Sequence, residues 1–314
     1  MTYRNAKELN MPLFTLGTVQ LGMNYGFGEH SQKPTEEYAH GLLSAALDAG
    51  VTNLDTANNY GDSERVIGSW LRTVEAGKRP IITTKVGPFD HTSEEILRAD
   101  ILAQTDKCLE TLGVDCIDIL MVHNLEDYLD APDVVREVFD GLKKSGKIKY
   151  SALSVYSYHD YKVVAESGFD AVQIPINIFD WGQIENGGIA ALNDAGMMVF
   201  ARSVFLQGII FCPRDEIDPR MDFILPYLDK FHGFCREFDM APEVLAASFV
   251  LSLPGITSLV LGCQTPEQVL SNCELIDKTR TLTDEQMAKI REAFVDIDER
   301  VINPKLWYNS KPAK

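Results

Sequence analysis

Ile117-Asp118-Ile119-Leu120-Met121-Val122-His123 is a β-branched and apolar run of strand length that ends on an ionisable side chain. Val134, Val135, Val138, Phe139 and Leu142 follow at helical spacing. Gly146 then stands where a left-handed helix stop is wanted, and residues 150–154 begin another strand. The alternation continues in both directions. Strands are predicted over residues 13–16, 53–55, 81–85, 171–175, 198–201 and 258–261. Helical spacing recurs at Leu42, Leu43, Ala46 and Leu47 and at Val66, Ile67, Trp70 and Leu71, with Gly50, Gly113, Gly168 and Gly196 as further stops. Eight strands alternating with helices predict an α/β fold, a (β/α)8 TIM barrel, in a single domain over residues 1–314. The rival, a doubly wound sheet, is weakened by a missing fingerprint: Gly26-Phe27-Gly28 is followed by Ser31 where the third glycine belongs. Beyond Leu261 two more helices are predicted, over residues 265–275 and 283–295, the second opened by a capping box of Thr283 and Gln286. Residues 296–314, with Trp307 and Tyr308, read as an irregular tail lying on the barrel.

Composition narrows the function. The 314 residues are 45% hydrophobic and 24% charged, as in ordinary globular proteins. The net charge of −17 argues against nucleic acid or an anionic membrane as the main partner. No apolar run approaches the ~20 residues of a transmembrane helix. Met1-Thr2-Tyr3-Arg4-Asn5-Ala6-Lys7 leads into no signal-peptide core, so a cytoplasmic location is expected. Six cysteines, at 108, 116, 212, 235, 263 and 273, form no CxxC pair and are expected as buried free thiols.

A barrel places its chemistry at the C-terminal ends of its strands. There the sequence has Asp55, Lys85 and His123 on three consecutive strand candidates, a set whose charges can compensate each other when buried. Taken singly, each has an ordinary structural role open to it: a helix cap, a snorkelling lysine, a bonded core histidine. Tyr60 lies five residues after Asp55 among turn formers, able to fold over the barrel mouth. An unperturbed tyrosine titrates near pH 10. A neighbouring ammonium favours the tyrosinate, a carboxylate keeps that ammonium charged, and a neutral histidine can donate to a substrate oxygen. The set suits protonation of a carbonyl oxygen. None of the four supplies hydride, so a nicotinamide cofactor is implied, and no metal site is expected.

The sequence resembles the aldo-keto reductase family. The matching stretches are Leu16-Gly17-Thr18, Leu54-Asp55-Thr56-Ala57-Asn58-Asn59-Tyr60-Gly61, Thr84-Lys85-Val86, Val122-His123-Asn124, Leu153-Ser154-Val155-Tyr156-Ser157, Val172-Gln173 and Arg202-Ser203-Val204-Phe205-Leu206-Gln207-Gly208. The resemblance implies a (β/α)8 barrel binding extended NAD(P)H, with Tyr60 as general acid/base, Lys85 and Asp55 tuning it and His123 orienting the carbonyl. It places Ser154 and Gln173 on the nicotinamide carboxamide and Ser203, Phe205, Leu206 and Gly208 along the pyrophosphate. Gly262, Gln264, Gln268 and Asn272 fall at the adenosine end, and Gly17, Thr18 and Asp55 are further cofactor contacts. Arg202 stands where many members stack an aromatic ring on the nicotinamide; its planar guanidinium suits the same stacking, a rim salt bridge being the alternative. Val155 stands where many members have asparagine. NADPH-preferring relatives carry Lys or Arg where this chain has Gly262, Gln264 and Gln268, so NAD(H) is favoured over NADP(H).

The resulting expectation is an oxidoreductase interconverting a carbonyl and an alcohol on a sugar, polyol or small aldehyde or ketone, its oligomeric state open. Pocket candidates are Val19, Gln20, Tyr25, Phe27, Asn124, Tyr156, Trp181, Trp307 and Tyr308. The alternative is a slowly turning redox sensor or regulatory subunit like the potassium-channel β subunits of the same family, which turnover against a carbonyl panel separates. A metal-dependent barrel hydrolase lacks an HxH pair and has only His123 among the strand ends.

Overall fold

The computed structural model describes residues 1–25, 32–156, 158–303 and 306–307. A two-stranded antiparallel hairpin, β1 (Tyr3–Ala6) and β2 (Leu9–Pro12), comes first. Eight parallel strands follow: β3 (Phe14–Gly17), β4 (Asn53–Asp55), β5 (Ile81–Val86), β6 (Ile117–Val122), β7 (Ile148–Ser154), β8 (Ala171–Pro175), β9 (Met198–Arg202) and β10 (Ile256–Gly262). They close into a barrel in the order β10-β3-β4-β5-β6-β7-β8-β9, as the sequence predicts. The observed bounds differ from the predicted ones by at most two residues at either end.

Helices cover the outside, some by one apolar face and one, Pro242–Ser252, by burying Val244 to Val250 in succession. Val134, Val135, Val138, Phe139 and Leu142 are the buried residues of helix Pro132–Lys144, which has proline in its first turn and Lys143 and Lys144 in its last, matching the helix dipole. Each such side chain contributes about 1.5–3 kcal/mol on burial. The five glycines predicted as helix stops all have positive φ, from 65° to 86°. Helix Asp284–Phe294 carries the predicted capping box between Thr283 and Gln286. Residues 296–303 are less irregular than predicted: Glu299–Ile302 is a short helix. Among the described residues no helix is long and apolar enough to cross a membrane.

Strand alternation sorts the barrel interior. Ile119, Met121, Ala152, Ala171, Met198 and Phe200 form one apolar cluster with Met11 of the hairpin, filling the side built by β6 to β9. The side built by β10, β3, β4 and β5 is polar and internally bonded. Thr15 Oγ1 lies 2.8 Å from Ser258 Oγ, Asn53 Nδ2 donates to Thr15 Oγ1 at 2.9 Å, and Thr83 Oγ1 donates to Asn53 Oδ1 at 3.2 Å. Buried polar groups are tolerated here because they satisfy one another. Gly17, Asp55, Lys85, His123, Ser154, Gln173 and Arg202 each lie two residues beyond a member of this interior set, which puts them on the inward side at the C-terminal mouth.

Candidate active site

Lys85 is fully buried and Asp55 nearly so. Lys85 Nζ donates to Asp55 Oδ1 at 2.7 Å and to the Thr56 carbonyl at 2.9 Å. Burial works against the ammonium, but Asp55 and Tyr60 outweigh it and hold its pKa above the ordinary lysine value. Gln173 Nε2 donates to Asp55 Oδ2 at 2.7 Å, so both carboxylate oxygens are occupied.

Tyr60 reaches the pair from the loop after β4. Lys85 Nζ lies 4.9 Å from its ring centroid, and the His123 ring meets it edge-on at 5.8 Å. Burial first, then the charges of Lys85 and Arg202, push the His123 imidazole down to about 3, which leaves it neutral at physiological pH. Its Nδ1 is shielded from water and has no hydrogen-bond partner among the described residues. The four residues predicted from the strand ends and the following loop therefore do converge.

The loop that carries Tyr60 is clamped by close backbone contact. A Cβ on Gly22 would stand 1.7 Å from the Tyr60 carbonyl oxygen, and one on Gly61 (φ 56°) would stand 2.4 Å from the Gly22 carbonyl oxygen. Asp62 N donates to that Gly22 oxygen at 3.2 Å. Ser63 ties the base of the loop together: Thr56 Oγ1 donates to Ser63 Oγ, which in turn bonds Thr18 Oγ1 and the Thr18 carbonyl. Neither Gly22 nor Ser63 was predicted; only the contact across the two loops reveals them.

Other predicted residues lie at the C-terminal ends of the strands or in the loops beyond them, Leu206 fully buried in the hydrophobic core. Ser154 of β7 pairs in register with Gln173 of β8, placing a hydroxyl beside an amide. Thr18 Oγ1 donates to the Asp55 carbonyl at 2.8 Å. Beyond β9, Ser203, Leu206 and Gln207 have φ of 62°, 47° and 56°, followed by Gly208 at 91°. Such strained non-glycine backbone is tolerated where a ligand or the surrounding structure requires it. Gly262 faces Gln20: a Cβ there would lie 2.4 Å from Gln20 Nε2, while Gln20 Oε1 is shielded and unpartnered among the described residues. An orphaned acceptor, a strained loop and a hydroxyl–amide pair fit an extended dinucleotide ending in a carboxamide.

Several expectations need correction. Trp181 and Trp307 do not line the mouth: both are buried in the hydrophobic core, Trp181 against Phe249, with its indole N–H donating to the Ile178 carbonyl. The apolar faces of these rings find more contact inside than a rim offers. Val155, noted as a departure from the family pattern, is fully buried. The rim ion pair weighed for Arg202 is not found among the described residues. Its Nη2 instead donates to the Val155 carbonyl at 2.9 Å, and its guanidinium lies 4.9 Å from the Tyr156 ring centroid. Gln268 Oε1 accepts from Gln264 N at 2.7 Å, which engages it at the start of helix Pro266–Lys278. Asn272 Nδ2 lies 3.2 Å from Cys263 Sγ. All six cysteines are free, but Cys116 and Cys212 are only half-buried. Phe27, Tyr308 and the Gly26 to Ser31 stretch lie outside the described residues, as does Ser157. Among the described residues no three His, Cys, Asp or Glu side chains group as metal ligands.

Comparison with known proteins agrees with this geometry. The profile of the aldo/keto reductase family matches residues 14–294. A 6-dehydroglucose reductase of Novosphingobium aromaticivorans is 27% identical over 289 residues, covering 86% of this chain and 90% of the relative. An NADH-specific methylglyoxal reductase of Escherichia coli K12 is 24% identical over 259 residues, covering 71% of this chain and 78% of the relative. The holo form of an aldo-keto reductase from Bacillus halodurans superimposes with a TM-score of 0.76 at 21% identity, over 96% of this chain and 100% of that one. The chain belongs to the aldo/keto reductase family of nicotinamide-dependent oxidoreductases.

Proposed function

We propose that the chain interconverts a carbonyl and an alcohol on a sugar, polyol or small aldehyde or ketone, with Tyr60 as general acid/base. The observation that carries this reading is the buried Lys85–Asp55 pair directed at Tyr60. In reduction the Tyr60 hydroxyl gives its proton to the carbonyl oxygen; in oxidation the tyrosinate takes it back. The Lys85 ammonium steadies the tyrosinate, and Asp55 keeps the ammonium charged and in place. Neutral His123 donates a ring N–H to the substrate oxygen and orients the carbonyl. A bound nicotinamide supplies hydride in one direction and accepts it in the other.

Ser154 and Gln173 suit the carboxamide, the loop from Ser203 to Gly208 the pyrophosphate, and the segment from Gly262 to Asn272 the adenosine. Gly17, Thr18 and Asp55 border the same cleft. Gly262, Gln264 and Gln268 offer no cation to a 2′-phosphate, which supports NAD(H) over NADP(H). The NADH-specific relative supports the same preference, and the 6-dehydroglucose reductase supports a hydroxylated substrate. Tyr25, Asn124 and Tyr156 are the side chains that would offer it polar groups.

The test is a cofactor-fluorescence titration followed by a panel of sugars, polyols and small carbonyls in both directions. Cofactor-dependent turnover of a hydroxylated compound supports the reading. Tight cofactor binding with only slow turnover of every compound would favour the sensor role instead.

A further inference from the structure

Among the described residues, one cation at the C-terminal ends of the strands has no anionic partner. Lys85 and Asp55 compensate each other at 2.7 Å. His123 is neutral, its imidazole depressed by burial first and then by the charges of Lys85 and Arg202. Arg202 remains. Among the described residues none of its partners is an anion: the Val155 carbonyl accepts from Nη2 at 2.9 Å, Ser203 Oγ lies 3.4 Å from Nη1, and the Tyr156 ring lies under the guanidinium. A guanidinium has five N–H donors in a planar fork, and these contacts leave most of them unused. The group is half-buried, where a charge is screened less than on the open surface. It acts on His123, and together with Tyr60 and Tyr156 it acts on Tyr25, so it overlooks the reacting centre. A partly desolvated cation with no anionic partner among the described residues, in a chain of net charge −17, does not serve solubility.

We propose that Arg202 recognises an acidic group, carboxylate or phosphate, on the carbonyl substrate, making an anionic aldehyde, keto acid or sugar derivative the preferred class. This rests on the carbonyl–alcohol reading above and narrows its substrate. The bond to the Val155 carbonyl and the contact with the Tyr156 ring restrain the guanidinium, so less rotamer freedom is lost when it meets the anion.

The experiment compares pairs that differ in the anion: succinic semialdehyde with butyraldehyde for carboxylate, and glyceraldehyde 3-phosphate with glyceraldehyde for phosphate. Within each pair the ratio of kcat/KM values is read at saturating cofactor, for the parent, Arg202→Gln and Arg202→Lys. Any change in cofactor binding affects both members alike and cancels in the ratio. In at least one pair the parent should favour the anion by about 10- to 100-fold, the scale of a charge-assisted hydrogen bond. That ratio should collapse in Arg202→Gln and survive in part in Arg202→Lys, and in the parent it should fall as salt is raised. The pair that shows the preference tells carboxylate from phosphate. Turnover without an anion preference in either pair, or a preference untouched in Arg202→Gln, overturns the inference while leaving the reductase reading intact. No turnover of any of the four compounds overturns the inference, and the wider panel of sugars, polyols and carbonyls then decides the reductase reading separately. Should Arg202→Gln fail to fold, the salt dependence of the parent ratio decides: a ratio indifferent to salt overturns the proposal.

Discussion

Asp55 is held from both sides: Lys85 donates to Oδ1 and Gln173 donates to Oδ2, each at 2.7 Å. The carboxylate thus couples β4, β5 and β8 across the barrel interior. Lys85→Met leaves that buried carboxylate without its counter-charge, a loss on the scale of about 3–5 kcal/mol. Gln173→Leu removes one neutral donor, on the scale of about 1–3 kcal/mol. Urea midpoints should therefore fall in the order parent, Gln173→Leu, Lys85→Met. Adding Asp55→Asn to Lys85→Met should restore part of the loss, because neither charge is then buried alone. Strictly additive losses would show that the two side chains do not act as a pair.

Gly22 gives a second prediction, away from the chemistry. A methyl at this position would overlap the Tyr60 carbonyl oxygen, which stands 1.7 Å from the Cβ position. The two nearest neighbours, the Tyr60 carbonyl oxygen and Ser63 N at 2.5 Å, are backbone, so relief requires the Tyr60 loop to move. Gly22→Ala is expected to cost about 1–3 kcal/mol, as overpacking does, and to lower turnover by more than it weakens cofactor binding. Unfolding curves with parallel kinetics check this; a variant with parental stability and rate would show that the clamp has no consequence.

Much of this site was legible in the strands. Asp55, Lys85 and His123 end successive strands, and the two-residue alternation places each on the inward side with no knowledge of distances. The bond from Gln173 to Asp55 was not legible, since it joins residues 118 apart in sequence through barrel closure. The hairpin of β1 and β2 was missed for a local reason. Its connection, Lys7-Glu8, holds Lys7 at φ 53° without the Asn-Gly or Asp-Gly pair that marks such turns. Trp181 and Trp307 were misplaced because an indole suits a pocket wall and a core equally well, and only the packing of Phe249 and neighbouring helices decides. The engagement of Gln268 by the Gln264 backbone likewise depends on how the helix begins.

The His123 imidazole titrates near pH 6.5 in the unfolded chain and at about 3 in the folded one. Between these values the unfolded chain binds more protons, so stability declines as pH falls from 6.5 toward about 3. Between about pH 7 and about pH 5 this amounts to at most about 2 kcal/mol. His123→Gln abolishes that contribution, so urea unfolding at the two pH values should show the smaller acid loss in the variant. For the parent, kcat/KM should show no limb near pH 6.5 attributable to this residue. Equal acid losses in both proteins would place the imidazole nearer its ordinary value.

For the cofactor, tighter binding of NADH than of NADPH is expected. Gln268→Arg should shift preference toward NADPH by about 1.5–3 kcal/mol, less the bond its Oε1 makes to Gln264 N. Gln264→Arg keeps that backbone bond and should give the cleaner shift. Dissociation constants for both cofactors at two salt concentrations measure the effect, since the −17 charge adds a salt-dependent repulsion to the 2′-phosphate. Tighter binding of NADPH by the parent would reverse this reading of the segment.

The most direct measurement is the single-turnover rate of carbonyl reduction by Tyr60→Phe with cofactor bound, alongside its cofactor dissociation constant. On the proposed reading Tyr60 Oη gives up the proton, and phenylalanine keeps the ring that faces Lys85 and His123. The account predicts a rate about 10²–10⁴-fold below the parent, with cofactor affinity essentially retained. A rate within a few-fold of the parent, at undiminished cofactor affinity, would contradict it.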